Sequence, residues 1–261
     1  MKAVIKAIIG GSVIIGVGLI IFIIALALNG WKFMPQFDTE HFTAEGEIFE
    51  LKIDNAVGSV KTEFYDGDKI IVDYPVSNRY SASVEEKEGV LTVNGLKKMH
   101  WYSFSFLTNN LPSTVVKIPQ GTVLKLDATV NAGSVKLAAG EYTDVRIKVN
   151  AGSLTAYGVL CNDFKGEVNA GSISVQSLES ASLDCKVSAG SFNANRVSCP
   201  LVRVNVSAGS ANLKVEGNRD EYTILVDKSA GSCNVTSQTG TDPEKKIDID
   251  VSAGSVNVSF V

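Results

Sequence analysis

The chain is poor in the residues from which most catalytic and metal centres are built. Its 261 residues include 2 histidines and 4 cysteines, and no two cysteines form a C-x-x-C pair. It also contains no P-loop, no G-x-S-x-G and no H-E-x-x-H motif. We therefore expect no enzyme activity, no cofactor and no metal site, and we interpret His41 and His100 as surface or packing residues.

The chain also lacks an excess of positive charge. It carries 24 Lys and Arg against 28 Asp and Glu, which gives a formal net charge of -4. Because nucleic-acid binding depends on clustered cations, we expect no nucleic-acid partner. A polysaccharide-active enzyme stays open as an alternative, since two carboxylates can be brought together on a repetitive surface by folding alone.

Charge is absent altogether from residues 7–28, which are mostly Ile, Val, Leu, Ala and Gly. As a helix this stretch is about 33 Å long, enough to cross a hydrocarbon core of about 30 Å. Lys2 and Lys6 precede it, and positive charge stays on the cytoplasmic side. The sequence predicts a single-pass protein of the cell membrane, with a cytoplasmic N-terminus and the rest of the chain outside.

A cleaved signal peptide is the alternative, because Ala25-Leu26-Ala27 has the small-x-small form of a cleavage site. The apolar stretch is longer than the usual apolar region of a signal peptide, so we favour an uncleaved anchor. The predicted organisation is a cytoplasmic segment 1–6, a transmembrane helix 7–28, a linker 29–41 and an ectodomain 42–261.

An Ala-Gly-Ser repeat organises the ectodomain. Its glycines are separated by 19, 19, 19, 19, 22 and 23 residues. An earlier copy of the same pattern has its glycine at Gly58. The glycines of the later copies are Gly133, Gly152, Gly171, Gly190, Gly209, Gly231 and Gly254.

Apolar and polar residues alternate on both sides of each repeat glycine, which is typical of strand, turn and strand. A unit of about 19 residues cannot bury its apolar face alone, whereas stacked copies form one continuous core. The sequence therefore predicts an all-β fold, a single-stranded β-solenoid with parallel strands, right-handed by the crossover rule. We divide it into irregular N-terminal coils, 42–120, and a regular array, 121–261. The spacing from Gly58 to Gly133 is near that of four coils of drifted sequence.

The repeat glycines are predicted to turn corners at φ > 0, where a Cβ would clash. A serine follows each array glycine. We favour a row of hydroxyls that satisfy backbone groups at the corners over a repetitive ligand surface. Asn131, Asn150 and Asn169 are expected to form a hydrogen-bonded ladder between coils. The serines are Ser134, Ser153, Ser172, Ser191, Ser210, Ser232 and Ser255.

One aromatic and basic stretch interrupts the irregular region, and it contains Trp101, Tyr102, Phe104 and Phe106. We favour a cap over the first coils, because the ends of solenoids need cover. The alternative is a patch that binds a protein partner in the envelope.

The cysteines follow the repeat. Cys161 and Cys199 lie two coils apart, about 9–10 Å, which is too far for a disulfide without backbone movement. Cys185 and Cys233 occupy inward columns and are predicted to be small core residues.

The chain ends on an alternating strand that contains Val256, Val258 and Phe260. This strand is predicted to lie at the end of the solenoid, where its unpaired backbone groups can pair with a second molecule. We favour instead that the loops of the two longer coils before it cover that edge.

The segment Val115-Val-Lys-Ile-Pro119-Gln-Gly121-Thr-Val-Leu-Lys-Leu-Asp-Ala, followed by serial V-N-A-G-S-V and V-S-A-G-S units, resembles a bacterial family called putative adhesins, or the toastrack domain. The resemblance covers Phe42 to Val261. It implies a β-solenoid of the cell envelope, in some members linked to envelope-stress systems, and it carries over no catalytic residue. We expect a membrane-anchored binding or scaffold module that senses envelope stress. The alternative is a surface adhesin or structural element without a signalling role.

Overall fold

The computed structural model describes residues 18–24, 37–77, 81–97 and 112–261, and only the backbone of Lys97. Residues 18–24 form a short helix. Among the described residues no helix has the length and apolar character that a membrane crossing needs. Most of the predicted anchor, residues 7–17 and 25–28, lies outside the described residues, so the anchor stays a prediction.

The rest of the described chain is built from strands. Twenty-one strands of the described residues form one sheet. They are β1 (Asp38–Thr43), β2 (Glu50–Asn55), β3 (Ser59–Tyr65), β4 (Ile71–Val76), β5 (Ser81–Lys87), β6 (Val90–Lys97), β7 (Ser113–Pro119), β8 (Leu124–Val130), β9 (Ser134–Leu137), β10 (Gly140–Val149), β11 (Ser153–Ala156), β12 (Val159–Val168), β13 (Ser172–Val175), β14 (Leu178–Val187), β15 (Ser191–Ser198), β16 (Leu201–Val206), β17 (Ser210–Val215), β18 (Thr223–Lys228), β19 (Ser232–Cys233), β20 (Lys246–Val251) and β21 (Ser255–Phe260). A single 3₁₀ turn, Arg219–Glu221, stands among the described strands.

The array strands pair in parallel with a register equal to the sequence repeat. Val145 lies beside Phe164, Phe164 beside Leu183, and Leu183 beside Val202. Like columns therefore stack over like columns at about 4.8 Å, as the repeat predicted. The all-β architecture with parallel strands is confirmed, and its right hand stays a prediction from the crossover rule.

Alternation of buried and exposed residues explains how one coil closes around the core. Along β12 the alternation breaks at Asn162 and Asp163, which are both exposed, so the strand bends there and its second half faces the core from a new direction. Phe164 and Val168 point inward after the bend, and each buried side chain of this size stabilises the fold by about 1.5–3 kcal/mol.

Gly166 makes room for an aromatic side chain of the neighbouring coil. Phe164 and Phe192 meet edge to face with ring centroids 6.3 Å apart. Gly166 lies beneath this pair, and a Cβ there would approach the Phe192 ring to 3.1 Å. The glycine in an otherwise apolar column thus fits the bulk of the aromatic pair, since protein cores leave little free space.

The N-terminal end departs from the prediction of four drifted coils. β4 is antiparallel to both β1 and β7, and β5 is antiparallel to β6. Of the strands between β3 and β8, only β6 and β7 continue the parallel stack. β2 lies between β6 and β8, and β3 lies between β7 and β9, so β6 and β7 form the outer layer. β1 begins at Asp38, inside the segment predicted as a linker. The prediction failed because antiparallel strands show the same alternation as parallel ones.

The C-terminal end also departs from chain order. β20 pairs with β16 on one side and β18 on the other, and β21 pairs with β17 and β19. The last coil of the sequence therefore lies between two others, and the coil before it is at the end. The prediction that Val256 and Val258 border the terminal edge was wrong, because a longer connection lets the chain pass over one layer and return.

The segment between β19 and β20 covers this end. Ile224 and Gln238 exchange two backbone hydrogen bonds of 2.9 Å, and the Ser237 hydroxyl accepts from the Val226 amide. The Asn234 side chain takes the place of a strand beside Val258, donating to its carbonyl and accepting from its amide. These contacts confirm the prediction that a loop covers the edge, and pairing with a second molecule stays an untested alternative.

Candidate binding surfaces on the solenoid

The array glycines do not turn corners in the left-handed region. Positive φ angles occur at Gly58, Gly89, Gly121 and Gly217 among the described glycines, and at none of the seven array glycines. The prediction that the array glycines turn corners at positive φ was therefore wrong. Among the predicted corner glycines, Gly58 alone has a positive φ, of +92°.

Close stacking explains the array glycines instead. A Cβ built on Gly171 would approach the Gly152 carbonyl oxygen to under 3.0 Å, which real Cβ atoms essentially never show. The same collision recurs from coil to coil. The amide of Ser172 donates to that same Gly152 oxygen over 3.1 Å, which fixes the distance between the two coils. The corner must hold the two backbones at hydrogen-bonding distance, and only glycine leaves the space.

The serine after each corner glycine belongs to one row on the outer surface. Register pairs these serines strand by strand, and the row also includes Ser59 and Ser113, so it crosses nine coils. Sequence reasoning missed Ser113, because the coil that carries it has no corner glycine and departs from the period. In spatial order the row is Ser113, Ser59, Ser134, Ser153, Ser172, Ser191, Ser210, Ser255 and Ser232.

The hydroxyls of this serine row make no hydrogen bond with the described residues, although the backbone amides do. The backbone amides of Ser153, Ser172 and Ser191 each donate to the carbonyl of the corner glycine one coil earlier, at 3.0–3.1 Å. The side chains face outward beside buried Leu154, Ile173 and Phe192. The interpretation that the hydroxyls satisfy corner backbone groups is therefore wrong, and Ser172→Ala should be nearly neutral for stability.

The predicted asparagine ladder is confirmed. Asn150 donates to the Asn131 side chain and Asn169 to the Asn150 side chain, both over 2.7 Å. Asn131 in turn donates to Asp54, and Ser188 donates to Asn169 over 3.5 Å. These amides are satisfied by one another, so this row belongs to the scaffold rather than to a surface that is free for a ligand.

A second amide row runs beside the serines. Asn212 donates to Asn193 over 2.8 Å, and Asn257 donates to Asn212 over 2.9 Å. Toward the N-terminal end the same row continues through Ser174, Thr155 and two lysines, Lys136 and Lys61. The serine row and this row together form the serine–asparagine face, a surface of hydroxyl and amide groups on parallel strands with two lysines toward its N-terminal end.

The face formed by the outward residues of the bent long strands is charged. Two rows of side chains border a groove of about 370 Å³, floored by Ile147 and Gly166. We call it the basic groove, because its lining includes five cations and two carboxylates. The cations are Arg146, Lys148, Lys165, Lys186 and Arg203, and the carboxylates are Glu167 and Asp184.

Sequence reasoning missed the basic groove. Its signal was present in the alignment of repeats, because Arg146 and Lys165 occupy the same position in consecutive coils, and Lys148 and Lys186 share another. The average charge of the chain conceals such a row, and only the stacking of coils brings its members together.

The four cysteines are all free, as the spacing of Cys161 and Cys199 predicted for that pair, and Cys233, predicted as a core residue, is only partly buried. Cys161 and Cys199 flank the buried Ser180 on adjacent strands, and Cys185 is fully buried in the core. Burial raises the pKa of the Cys161 thiol to about 12 and also raises that of Cys199 and Cys185. Such thiols are poor nucleophiles at neutral pH, so they act as packing residues.

A charged cluster joins β1, β4 and β7 at the N-terminal end. His41 Nδ1 lies 2.6 Å from Asp73, and Lys117 Nζ lies 2.8 Å from the other Asp73 oxygen. Lys117 lowers the pKa of the Asp73 carboxyl most, burial opposes this, and His41 adds to the lowering. The cluster ties the outer strands together; no group of metal-binding side chains is found in the described part of the chain.

The aromatic residues predicted as a cap or partner patch, Trp101, Tyr102, Phe104 and Phe106, lie outside the described residues. His100 lies there as well. Elsewhere in the described solenoid Phe49 and Tyr157 are the aromatic side chains that are more than half exposed. The described faces therefore lack the ladder of aromatics that would favour a polysaccharide-active enzyme.

Several solved structures are similar in architecture. A putative adhesin from Parabacteroides merdae shares 12% identity and a TM-score of 0.46, covering 85% of this chain and 96% of its own. A putative cell adhesion protein from Clostridium sporogenes shares 13% identity and a TM-score of 0.41, covering 87% and 100%. A putative lipid binding protein from Parabacteroides distasonis shares 11% identity and a TM-score of 0.34, covering 86% and 98%.

Among proteins with curated descriptions, none matches the chain. The profile of one protein family does match, over residues 48–260, which include nearly all the described strands. On that match this chain belongs to the family described as Toastrack DUF4097.

Proposed function

We propose that the chain is a binding module of the surface-adhesin type rather than an enzyme, held at the cell membrane by residues 7–28 with the solenoid outside. The observation that carries the proposal is the serine–asparagine face, in which one row of outward hydroxyls repeats over nine coils. None of these hydroxyls is used by the described protein, so all of them are available to a ligand.

A rigid backbone makes such a face suitable for binding. Every coil of the array except the end coil of β18 and β19 is hydrogen-bonded to a coil on both sides, so the spacing of the hydroxyls is set before a ligand arrives. A ligand with many weak sites gains affinity from simultaneous contacts, because each contact after the first is intramolecular. A repetitive, uncharged and hydrogen-bonding polymer, such as a neutral polysaccharide, has the chemistry that fits this face.

The test uses the full chain in detergent and measures retention on immobilised neutral glycans and on isolated cell walls. A triple variant, Ser153→Arg, Ser172→Arg and Ser191→Arg, places three long side chains across the face. The matched control adds the same charge elsewhere through Asn162→Arg, Ala181→Arg and Ser198→Arg, which are all exposed. We expect about a tenfold loss of retention in the triple variant and less than twofold in the control.

Equal retention of wild type and the serine variant on every glycan and cell-wall sample would contradict the proposal.

The wider hypothesis of envelope-stress sensing has a separate test. Deletion of the gene should change the induction of envelope-stress genes by wall-active agents, and the serine variant should reproduce that change. An unaltered response after deletion would leave a surface adhesin without a signalling role.

A further inference from the structure

We infer that residues 234–238 form a plug that keeps the chain from pairing with a second copy of itself through the edge of β21. These residues belong to the loop between β19 and β20, which covers the C-terminal end of the solenoid. The inference goes beyond the proposed function, because it concerns association between copies of the chain rather than the binding of a glycan.

The outer edge of β21 is only partly covered by a strand. β19 has two residues, and they pair with Ser255 and Val256, the first two residues of β21. Farther along, Asn234 Nδ2 donates to the carbonyl of Val258 over 2.9 Å, and Asn234 Oδ1 accepts from its amide over 2.8 Å. One side-chain amide therefore takes the place of a backbone peptide group, and no described strand pairs with this edge after Val256.

The rest of the plug is held by few contacts. The Ser237 hydroxyl accepts from an amide of β18 over 3.0 Å, and the Gln238 backbone exchanges two hydrogen bonds of 2.9 Å with Ile224. Val235 is the one buried side chain between residues 234 and 238, whereas Asn234 and Ser237 are exposed. A segment with so little buried apolar surface opens more easily than the coils beneath it. Loss of the two Asn234 bonds should therefore free the edge without unfolding the stack.

The bonds that Asn234 makes are those of an antiparallel strand pair. Two residues that lie directly opposite each other in such a pair can exchange both backbone hydrogen bonds. Without the plug, a twofold axis at Val258 would place this residue opposite Val258 of the second copy. Each copy would then satisfy in the other the amide and the carbonyl that Asn234 satisfies within one chain.

The side chains of β21 fit the same register. With Val258 on the axis, Val256 opposes Phe260 of the second copy and Asn257 opposes Ser259. Apolar side chains therefore meet apolar ones, and polar side chains meet polar ones. β21 has no charged residue that would repel a second copy or select a charged strand of another protein. A second copy of the chain is thus the partner that this edge fits.

The experiment measures the protein mass of the full chain in detergent against its concentration, by light scattering that separates protein from detergent. Asn234→Ala removes both bonds to Val258 and should lower the dissociation constant for pairing about tenfold relative to the wild type. The matched control, Asn162→Ala, removes an exposed asparagine of β12 and should pair no more tightly than the wild type. An Asn234→Ala variant that unfolds cooperatively in urea yet pairs no more tightly than the wild type would overturn the inference.

Charged pairs in the Asn234→Ala background test the register. Asn257→Lys with Ser259→Lys places like charges opposite each other on both sides of the axis and should return pairing to the wild-type level. Asn257→Lys with Ser259→Glu changes the same two positions but places opposite charges together, so it should keep the pairing. Both positions are exposed in the single chain, so both variants should fold. Equal pairing by the two charged variants would place the contact elsewhere and overturn the inference.

Hydrogen exchange at the Val258 amide reports on the edge directly. In the wild type this amide is bonded to Asn234, so its exchange should not depend on protein concentration. In Asn234→Ala it should exchange faster in dilute solution and slow down as the concentration rises, because the second copy then covers it. Exchange in Asn234→Ala that is the same at every concentration would overturn the inference. Neither measurement involves a glycan, so this inference and the proposed function can fail separately.

Discussion

The regular array and the two ends of the solenoid follow different rules. Between β8 and β17 each coil pairs with the coil one repeat earlier, and chain order is spatial order. At both ends one coil is out of order: β6 and β7 lie outside β2 and β3, and β18 and β19 lie outside β20 and β21. The same sequence pattern therefore gives two kinds of stacking.

The difference shows how the fold protects its ends. At the C-terminal end, β20 and β21 lie inside the stack, and the coil of β18 and β19 forms the edge with its covering loop. At the N-terminal end, antiparallel strands end the parallel stack. Both arrangements leave less free parallel edge for a second molecule.

The largest expected effect comes from a charge placed in the internal last strand. Val258→Lys should lower the free energy of unfolding by about 4 kcal/mol, because Val258 is buried between two coils and the ammonium would have no partner. Leu225→Lys, on the end coil, should be within about 0.5 kcal/mol of wild type, since Leu225 is 43% exposed. Urea denaturation of the full chain measures both.

Hydrogen exchange sharpens the same comparison without a substitution. The amides of β21 should exchange more slowly than those of β18, because β21 lies inside the stack and β18 at its end. Faster exchange in β21 than in β18 would restore stacking in chain order and contradict the structure.

A smaller effect separates the two kinds of glycine. Gly171→Ala should cost about 3 kcal/mol, because its Cβ would meet the Gly152 backbone. Gly121→Ala should cost about 1 kcal/mol, since Gly121 has φ of +77° but open space around its Cα. Asparagine, which tolerates positive φ, should be accepted at Gly121 and rejected at Gly171. Similar melting temperatures for both asparagine variants would refute the stacking explanation.

The smallest effect concerns the charged cluster of the N-terminal end. The pKa of Asp73 is lowered in the folded state, chiefly by Lys117, so its ionised form stabilises the fold above its unfolded value of 3.8. That stability is lost as pH falls below 3.8 through the folded pKa. Asp73→Asn should remove this pH dependence and cost about 1 kcal/mol at neutral pH. A wild-type acid unfolding curve that the variant reproduces unchanged would exclude the effect.

Much of the architecture could be predicted from the residues. The spacing of Gly133 to Gly209 gives the coil length, and the alternation around each glycine gives the strands and the inward columns. The Asn131, Asn150 and Asn169 ladder followed from the same spacing. These features are local or strictly periodic, so each copy repeats the same physical constraint and the copies reinforce one another.

The sites were less predictable for two reasons. The serines were recognised, but whether their hydroxyls are satisfied depends on the exact backbone of the neighbouring coil. The basic groove was not recognised, because Arg146, Lys165 and Arg203 are separated by many residues and meet only when the strands stack. Net charge averages over such clusters and conceals them.

The sequence by itself determined the all-β class, the coil length, the buried columns and the need for glycine at each corner. The tertiary structure alone decided the order of the end coils and the reason for that glycine. An alternating strand carries no mark of which neighbour it will pair with, because backbone hydrogen bonds are the same for every partner. Likewise, a corner glycine marks a place where a Cβ is excluded, and only the position of the next coil shows that a carbonyl oxygen excludes it.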